Sequence, residues 1–178
     1  VGSDNIVCTR AHGEMKIEDA LAMSCNCVFA QLALELGSAT MAEYAAECGL
    51  TGSVYVDGIG TAAGRYDEAA DGSIDLAWSG VGQYNDLVNP AAMLRFVSAI
   101  ANSGRAVELT QVDSFRIFNN SERVMRSSTA ERISQMMDYC VSYTYGEENF
   151  PGLQLRAKSG TAEVGGGKDP NAWFVGLL

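Results

Sequence analysis

Two short polar clusters in this chain combine residue types that can do chemistry. In Ser24-Cys25-Asn26 a hydroxyl and a carboxamide stand two residues apart. At a break between helices they can point into one cavity, the hydroxyl passing a proton and the amide holding a substrate amide. Taken alone, Ser and Asn at such a place read more often as helix caps. The second cluster is Lys158-Ser159-Gly160-Thr161-Ala162-Glu163, in a segment otherwise shaped by Leu153 and Leu155. Lys158, Ser159 and Thr161 offer an ammonium and two hydroxyls, a set suited to gripping a carboxylate, and strand amides can serve as an oxyanion hole. Gly160 leaves room for another backbone or a ligand to come close. The plain alternative is a polar edge strand with a glycine bulge.

These clusters need elements to hold them. Ile17 to Ala22 reads as a short helix with Glu18 and Asp19 in its first turn, where the helix dipole favours acids. Val28, Leu32 and Leu36, with Phe29, Ala33 and Leu34, give the period of a second, largely buried helix closed by Gly37 in a left-handed cap. Ser24 to Asn26 then lies at the junction between the two. A third helix is expected from about Thr40 to Glu47, and the glycine-rich run from Thr51 to Gly82 reads as loop. Asn89 caps and Pro90 opens a helix whose stripe is Met93, Leu94, Val97 and Ile100, ending at Gly104. Ala106 to Phe118 suggests short irregular strands. Ser128 to Val141 is an amphipathic helix with Ile133, Met136, Met137 and Cys140 inward. Leu153 to Glu163 and Ala172 to Leu178 read as two strands joined by a turn containing Gly165 to Gly167 and Pro170. Helices followed by a hairpin indicate an α+β domain.

Composition narrows the function. The chain has 178 residues, 47% of them hydrophobic and 19% charged, enough apolar content for a core within one domain or most of one. Its net charge of −10, with no run of Lys or Arg, excludes a nucleic-acid platform and disfavours anionic lipid surfaces. No stretch approaches the roughly 18 to 20 apolar residues that cross a bilayer. Five cysteines, Cys8, Cys25, Cys27, Cys48 and Cys140, lack framework spacing and read as free thiols, mostly buried. Cys25 and Cys27 do not read as a metal pair, because His12 is the only imidazole and no second Cys-x-x-Cys is present. His12 is expected in a solvated entry loop. The acidic excess reads as solubility, with Asp67 to Asp75 the one stretch open to a calcium reading. No metal and no cofactor are expected.

The two clusters together are far more specific than either alone. Penicillin-binding proteins and serine β-lactamases combine a Ser-x-x-Lys, a Ser-x-Asn type triad and a Lys-Thr/Ser-Gly, and two of these occur here in that order. Ile17 to Asn26 with Phe29 and Gln31 resembles the family's second-motif region. Gly82-Gln83, Asn89-Pro90 and Met93 resemble the stretch before a buried helix, with Asn in place of Thr. Lys158 to Glu163 and Ala172 to Gly176 resemble the third-motif hairpin of class B penicillin-binding proteins. The resemblance spans about Gly13 to Leu178 and implies a penicillin-binding protein/serine β-lactamase-like transpeptidase fold. As given, the fold would be incomplete: the helical part plus a β-hairpin of the central sheet.

The resemblance implies a peptidoglycan D,D-transpeptidase that works through an acyl-serine and binds β-lactams, its partners being D-Ala-D-Ala stem peptides. Ser24 would relay a proton, Asn26 would bind the substrate amide, and Lys158 would supply positive potential. Ser159 and Thr161 would bind the terminal carboxylate, and the Thr161 amide would form half the oxyanion hole. No Ser-x-x-Lys exists in the chain: the residues three places before Lys16, Lys158 and Lys168 are Gly13, Leu155 and Gly165. The expectation is therefore residues 1–178 as the C-terminal portion of one transpeptidase domain, truncated at both ends and inactive alone. An unpaired strand edge would favour self-association. The implied location is the extracytoplasmic face of a bacterial membrane, with any anchor outside the chain. A β-lactam sensor, a serine β-lactamase relative and a non-catalytic wall-interaction module are the alternatives.

Overall fold

The computed structural model describes residues 5–8, 10–112, 121–164 and 166–178. Helices α1 (Ile17–Ala22), α2 (Asn26–Leu36) and α3 (Ser38–Glu47) come first, then a small β1–β2 hairpin (Tyr55–Val56, Ile59–Gly60) and α4 (Ile74–Gly80). Next are α5 (Pro90–Ala101), the short pair β3 (Arg105–Ala106) and β4 (Glu122–Arg123), and α6 (Ser127–Cys140). A π-helical turn, Val141–Tyr145, prolongs α6, and the chain ends in strands β5 (Arg156–Ala162) and β6 (Asn171–Leu177). Each described sheet has two antiparallel strands, and β5 pairs with β6 from Arg156 opposite Leu177 to Ala162 opposite Asn171. The α+β expectation holds. The strands expected within Ala106 to Phe118 reduce to β3 and a partner beyond that span, with residues 113–120 outside the described residues, as is Gly165 of the final turn.

The core is made largely of small side chains. Ala20, Ala92, Ala99, Ala130 and Ala157 have no exposed surface, and the largest fully buried side chains are Leu76 and Cys140. Small residues let helix axes approach, and α2 on α4 shows how closely. A Cβ on Gly80 would lie 2.4 Å from Ala33 Cβ and 2.6 Å from the Phe29 carbonyl oxygen. The buried face of α2 is therefore Ala30 and Ala33, whereas Leu34 and Leu36 are exposed. The largely buried helix expected from its leucines is buried through its alanines instead. Leu94 of α5 likewise turns to solvent, while Ala92, Val97, Ala99 and Ile100 carry the buried stripe.

Side-chain capping marks where α4 and α5 begin. Asn89 Oδ1 accepts from the Ala92 amide at 2.8 Å and Ser73 Oγ from the Leu76 amide at 3.1 Å. The second of these starts α4, a helix hidden from the sequence because its seven residues sit in the glycine-rich run read as loop. Gly37 has φ 81° and ψ 157°, so it is not a left-handed helical cap. It joins α2 directly to α3, and Asp71 Oδ1 accepts from the Ser38 amide at 2.8 Å. The acidic stretch is thus used internally: Asp67 also pairs with Arg65 at 3.0 Å and donates its amide to Asp86 Oδ1 at 3.1 Å.

Helix α6 is the platform for both polar clusters. It buries Ala130, Ser134, Met136, Met137 and Cys140. Toward α1 it presents Tyr139, whose hydroxyl donates to Asp19 Oδ1 at 3.1 Å, and Arg132, paired with Glu18 at 3.0 Å. Just past its end, Thr144 Oγ1 donates to the Ala22 carbonyl at 2.7 Å. Toward β5, Ser134 Oγ accepts from Arg156 Nη1 at 2.8 Å, beside the fully buried Ala157. Residues more than a hundred apart in sequence are thereby fixed on one helix.

Candidate active site

The first cluster sits in a turn that normally calls for glycine. After α1, the Ser24 amide donates to the Leu21 carbonyl at 3.1 Å and the Cys25 amide to the Ala20 carbonyl at 2.9 Å. That pair of bonds is the Schellman closure of a helix, which needs a left-handed residue at the position Ser24 fills. Ser24 has φ 51°. A left-handed residue with a Cβ costs about 1–3 kcal/mol and persists where its surroundings impose it. Here the turn throws the Ser24 hydroxyl away from α2. Cys25, not Ser24 or Asn26, is the N-cap residue of α2, and it makes no side-chain cap bond. The cap reading of this cluster is therefore set aside.

The hydroxyl meets the second cluster. Lys158 Nζ donates to Ser24 Oγ at 2.6 Å and to the backbone carbonyl of its neighbour Ser159. Burial pushes the Lys158 ammonium below its ordinary value, partly offset by the nearby Cys140 thiol, which burial in turn pushes up. An ammonium held on a hydroxyl oxygen leaves the hydroxyl hydrogen free to go elsewhere. A lysine with a lowered pKa gives up and recovers a proton more readily. A proton can pass between two side chains so placed.

Ser159 faces the other side of β5. Its amide donates to Tyr145 Oη at 2.7 Å, and the Tyr145 hydroxyl bonds Ser159 Oγ at 2.9 Å. Tyr145 comes from the π-helical turn and packs edge-on against Phe174 of β6 at 5.6 Å, and Phe174 stacks on Phe150 at 6.0 Å. Since the Ser159 amide points away from β6, strand alternation sends the Thr161 amide to the same free edge. Both Gly160 and Thr161 are exposed. A Cβ on Gly160 would meet nothing within 4 Å, so the space there is open rather than filled by another backbone.

Two further side chains complete the surroundings. Asn26 Nδ2 donates to the Val7 carbonyl at 3.0 Å, so its amide engages the N-terminal segment and is not joined to Lys158. Gln83 lies against the backbone at the end of the second cluster; with its amide turned to satisfy both contacts, Nε2 donates to the Glu163 carbonyl at 3.3 Å and Oε1 accepts from the Glu163 amide at 3.2 Å. Ser24 and Lys158 are thus brought into contact, Ser159 and Thr161 share a strand with Lys158 on its opposite face, and Asn26 stands apart. Tyr145 was not foreseen: its only sequence signal is an aromatic just after an amphipathic helix, a pattern that ordinarily means packing. His12, expected in solvent, has a buried Nδ1.

Several known proteins resemble this chain in sequence and fold. The chain is 23% identical over 174 residues to the peptidoglycan D,D-transpeptidase PbpA of Mycobacterium tuberculosis H37Rv, covering 90% of this chain and 35% of that protein. It is 24% identical over 174 residues to the Mycolicibacterium smegmatis PbpA, with the same coverage. The chain therefore spans about a third of the length of these curated relatives. Among solved structures, the ceftriaxone acyl-enzyme complex of M. tuberculosis penicillin-binding protein A superposes with a TM-score of 0.77 at 23% identity, over 90% of this chain and 39% of that one. The D,D-transpeptidase domain of a peptidoglycan glycosyltransferase from Eggerthella lenta also gives 0.77, at 24% identity, over 92% and 45%. These superpositions bear out the expected fold. The family model for the penicillin-binding protein transpeptidase domain matches residues 4–178, so the chain belongs to that family.

Proposed function

We propose that this chain supplies the second and third motifs of a peptidoglycan D,D-transpeptidase site whose nucleophilic serine lies outside it. The observation that carries the reading is the 2.6 Å contact of Lys158 Nζ with Ser24 Oγ, two residues 134 apart that meet through α6. In the reaction, a serine of a Ser-x-x-Lys motif attacks the carbonyl of the penultimate D-Ala, and the bond to the terminal D-Ala nitrogen breaks. The proton released from the attacking serine hydroxyl passes to Ser24 as Ser24 delivers its own to that nitrogen, and Lys158 holds Ser24 Oγ and the local positive potential. Thr161 and the Tyr145-held Ser159 bind the terminal carboxylate, or the corresponding carboxylate of a β-lactam. The Thr161 amide on the free edge of β5 gives half of the oxyanion hole. Asn26 holds the substrate amide when its bond to Val7 exchanges. The acyl group then passes to an amine of a second stem peptide, on the outer face of a bacterial membrane. The free strand edges also make self-association of this chain a proposal, read by light scattering.

The test is fluorescent penicillin labelling of the full-length protein, followed by peptide mapping of the adduct. The expected label falls on a serine of a Ser-x-x-Lys sequence outside residues 1–178, and this chain expressed alone stays unlabelled. Covalent label on a serine within residues 1–178 overturns the reading.

A further inference from the structure

We propose that Cys8, His12 and Cys25 form a three-ligand binding site for a zinc-class divalent cation directly beside the Ser24 turn. Cys8 Sγ lies 3.6 Å from Cys25 Sγ and 3.5 Å from Cys27 Sγ. The ligand atoms of Cys8, His12 and Cys25 all lie within 4.8 Å of one another. His12 Nδ1 is buried and has no hydrogen-bond partner among the described residues, and Cys25 is only 3% exposed.

Geometry favours a metal over a disulfide. Four ligands about 2.3 Å from a tetrahedral zinc leave sulfur atoms roughly 3.8 Å apart, close to both separations here. A disulfide needs about 2.0 Å between sulfurs and joins only two of the three thiols. It would leave the buried imidazole nitrogen unused, whereas one cation engages Cys8, Cys25 and His12 together. Thiolate and imidazole are the donor set of zinc rather than of calcium or magnesium. Binding releases the thiol protons to solvent.

This departs from the expectation of no metal. The partners of Cys25 are not a further cysteine motif but Cys8 and His12, in an irregular segment carried beside the junction after α1. The placement gives the site a mechanical consequence. Cys25 follows Ser24 directly, and Asn26 already bonds Val7, so a bound cation would clamp Cys8 and His12 onto the turn that presents Ser24. The proposal stands whether or not the transpeptidase reading does.

The experiment uses the full-length protein, purified with a phosphine reductant, stripped with chelator and reconstituted with zinc or cobalt(II). Expected are one zinc per chain, thiolate-to-cobalt charge-transfer absorption with the strong visible bands of tetrahedral cobalt, and a higher Tm with metal. Cys8→Ser, Cys25→Ser and His12→Gln each weaken zinc binding by more than about tenfold, a loss that even outer partners of a metal site produce. Cys48→Ser, away from the cluster, leaves it unchanged. The cobalt spectrum of the unsubstituted protein needs no variant to fold. Octahedral cobalt without thiolate bands, substoichiometric zinc, unchanged affinity in any of the three variants, or a disulfide from Cys8 to Cys25 or Cys27 in the protein as isolated overturns the assignment.

Discussion

Replacing Tyr145 with Phe removes one oxygen and keeps the ring on Phe174. That oxygen accepts from the Ser159 amide at 2.7 Å and bonds its hydroxyl at 2.9 Å. The hydroxyl of Ser159 can rotate to another partner, but its amide cannot, and a desolvated amide left unpaired costs about 1–3 kcal/mol. Ser159 is half-buried, which places the loss in the lower part of that range, about 1–2 kcal/mol. For a domain of this size each kcal/mol moves Tm by about 2–4 °C, so Tyr145→Phe lowers Tm by about 2–8 °C. Urea unfolding should show the same loss with an unchanged m-value, since the surface exposed on unfolding hardly alters. Tyr143→Phe is the control, because Tyr143 is 49% exposed and its ring packs on Tyr139. Equal stability for Tyr145→Phe and the parent, or an equal loss in both variants, would refute the claim that this hydroxyl organises β5.

Other substitutions separate structure from function. Gly160→Ala meets no atom and needs no unusual backbone angle, so Tm should hold or rise, by up to about 1 kcal/mol of stability, while β-lactam acylation of the full-length protein slows; a loss of stability would contradict the open space at Gly160. Burial pushes the Asp86 carboxyl above its ordinary value of 3.8, against the opposing hydrogen bond from Ser79. The folded state then binds a proton more readily than the unfolded one, and ionised Asp86 costs stability at neutral pH. Asp86→Asn should be at least as stable as the parent at pH 7 by urea unfolding, with its relative advantage shrinking as pH falls through the folded pKa toward 3.8. For Lys158 the sign is opposite in pH: its folded pKa is below 10.5, so the unfolded chain binds more protons in the interval beneath that value. Stability relative to Lys158→Met should therefore rise across that alkaline window, and a fall there would show that the ammonium is not desolvated.

How much was legible in the sequence follows from what each feature depends on. Helix α1 was readable to the residue, and α5 and α6 to within a few residues, because their caps and apolar spacings are local. Helix α4 was not, since seven residues among glycines carry too little periodicity to outweigh the loop signal. The burial of α2 was misplaced because leucines dominate any hydropathy pattern, while the actual contact is set by Ala33 against Gly80. Ser24 and Lys158 could be singled out from two short motifs and a family resemblance, but their contact depends on α6 holding both ends. Tyr145 and the thiol cluster escaped for the same reason: each acquires its partners only through the tertiary fold.

The central claim is that Ser24 and Lys158 form the proton path of a transpeptidase site. Its most direct measurement is the acylation rate constant of the full-length protein with fluorescent penicillin, compared with Ser24→Ala and Lys158→Ala across pH. A positioned proton-transfer group contributes about 10²–10⁴-fold, so each single variant should fall by at least about 100-fold. The double variant should fall little further than either single one, because one path is lost in each case. Acylation within about threefold of the parent in Ser24→Ala, or fully multiplicative losses in the double variant, would contradict the account.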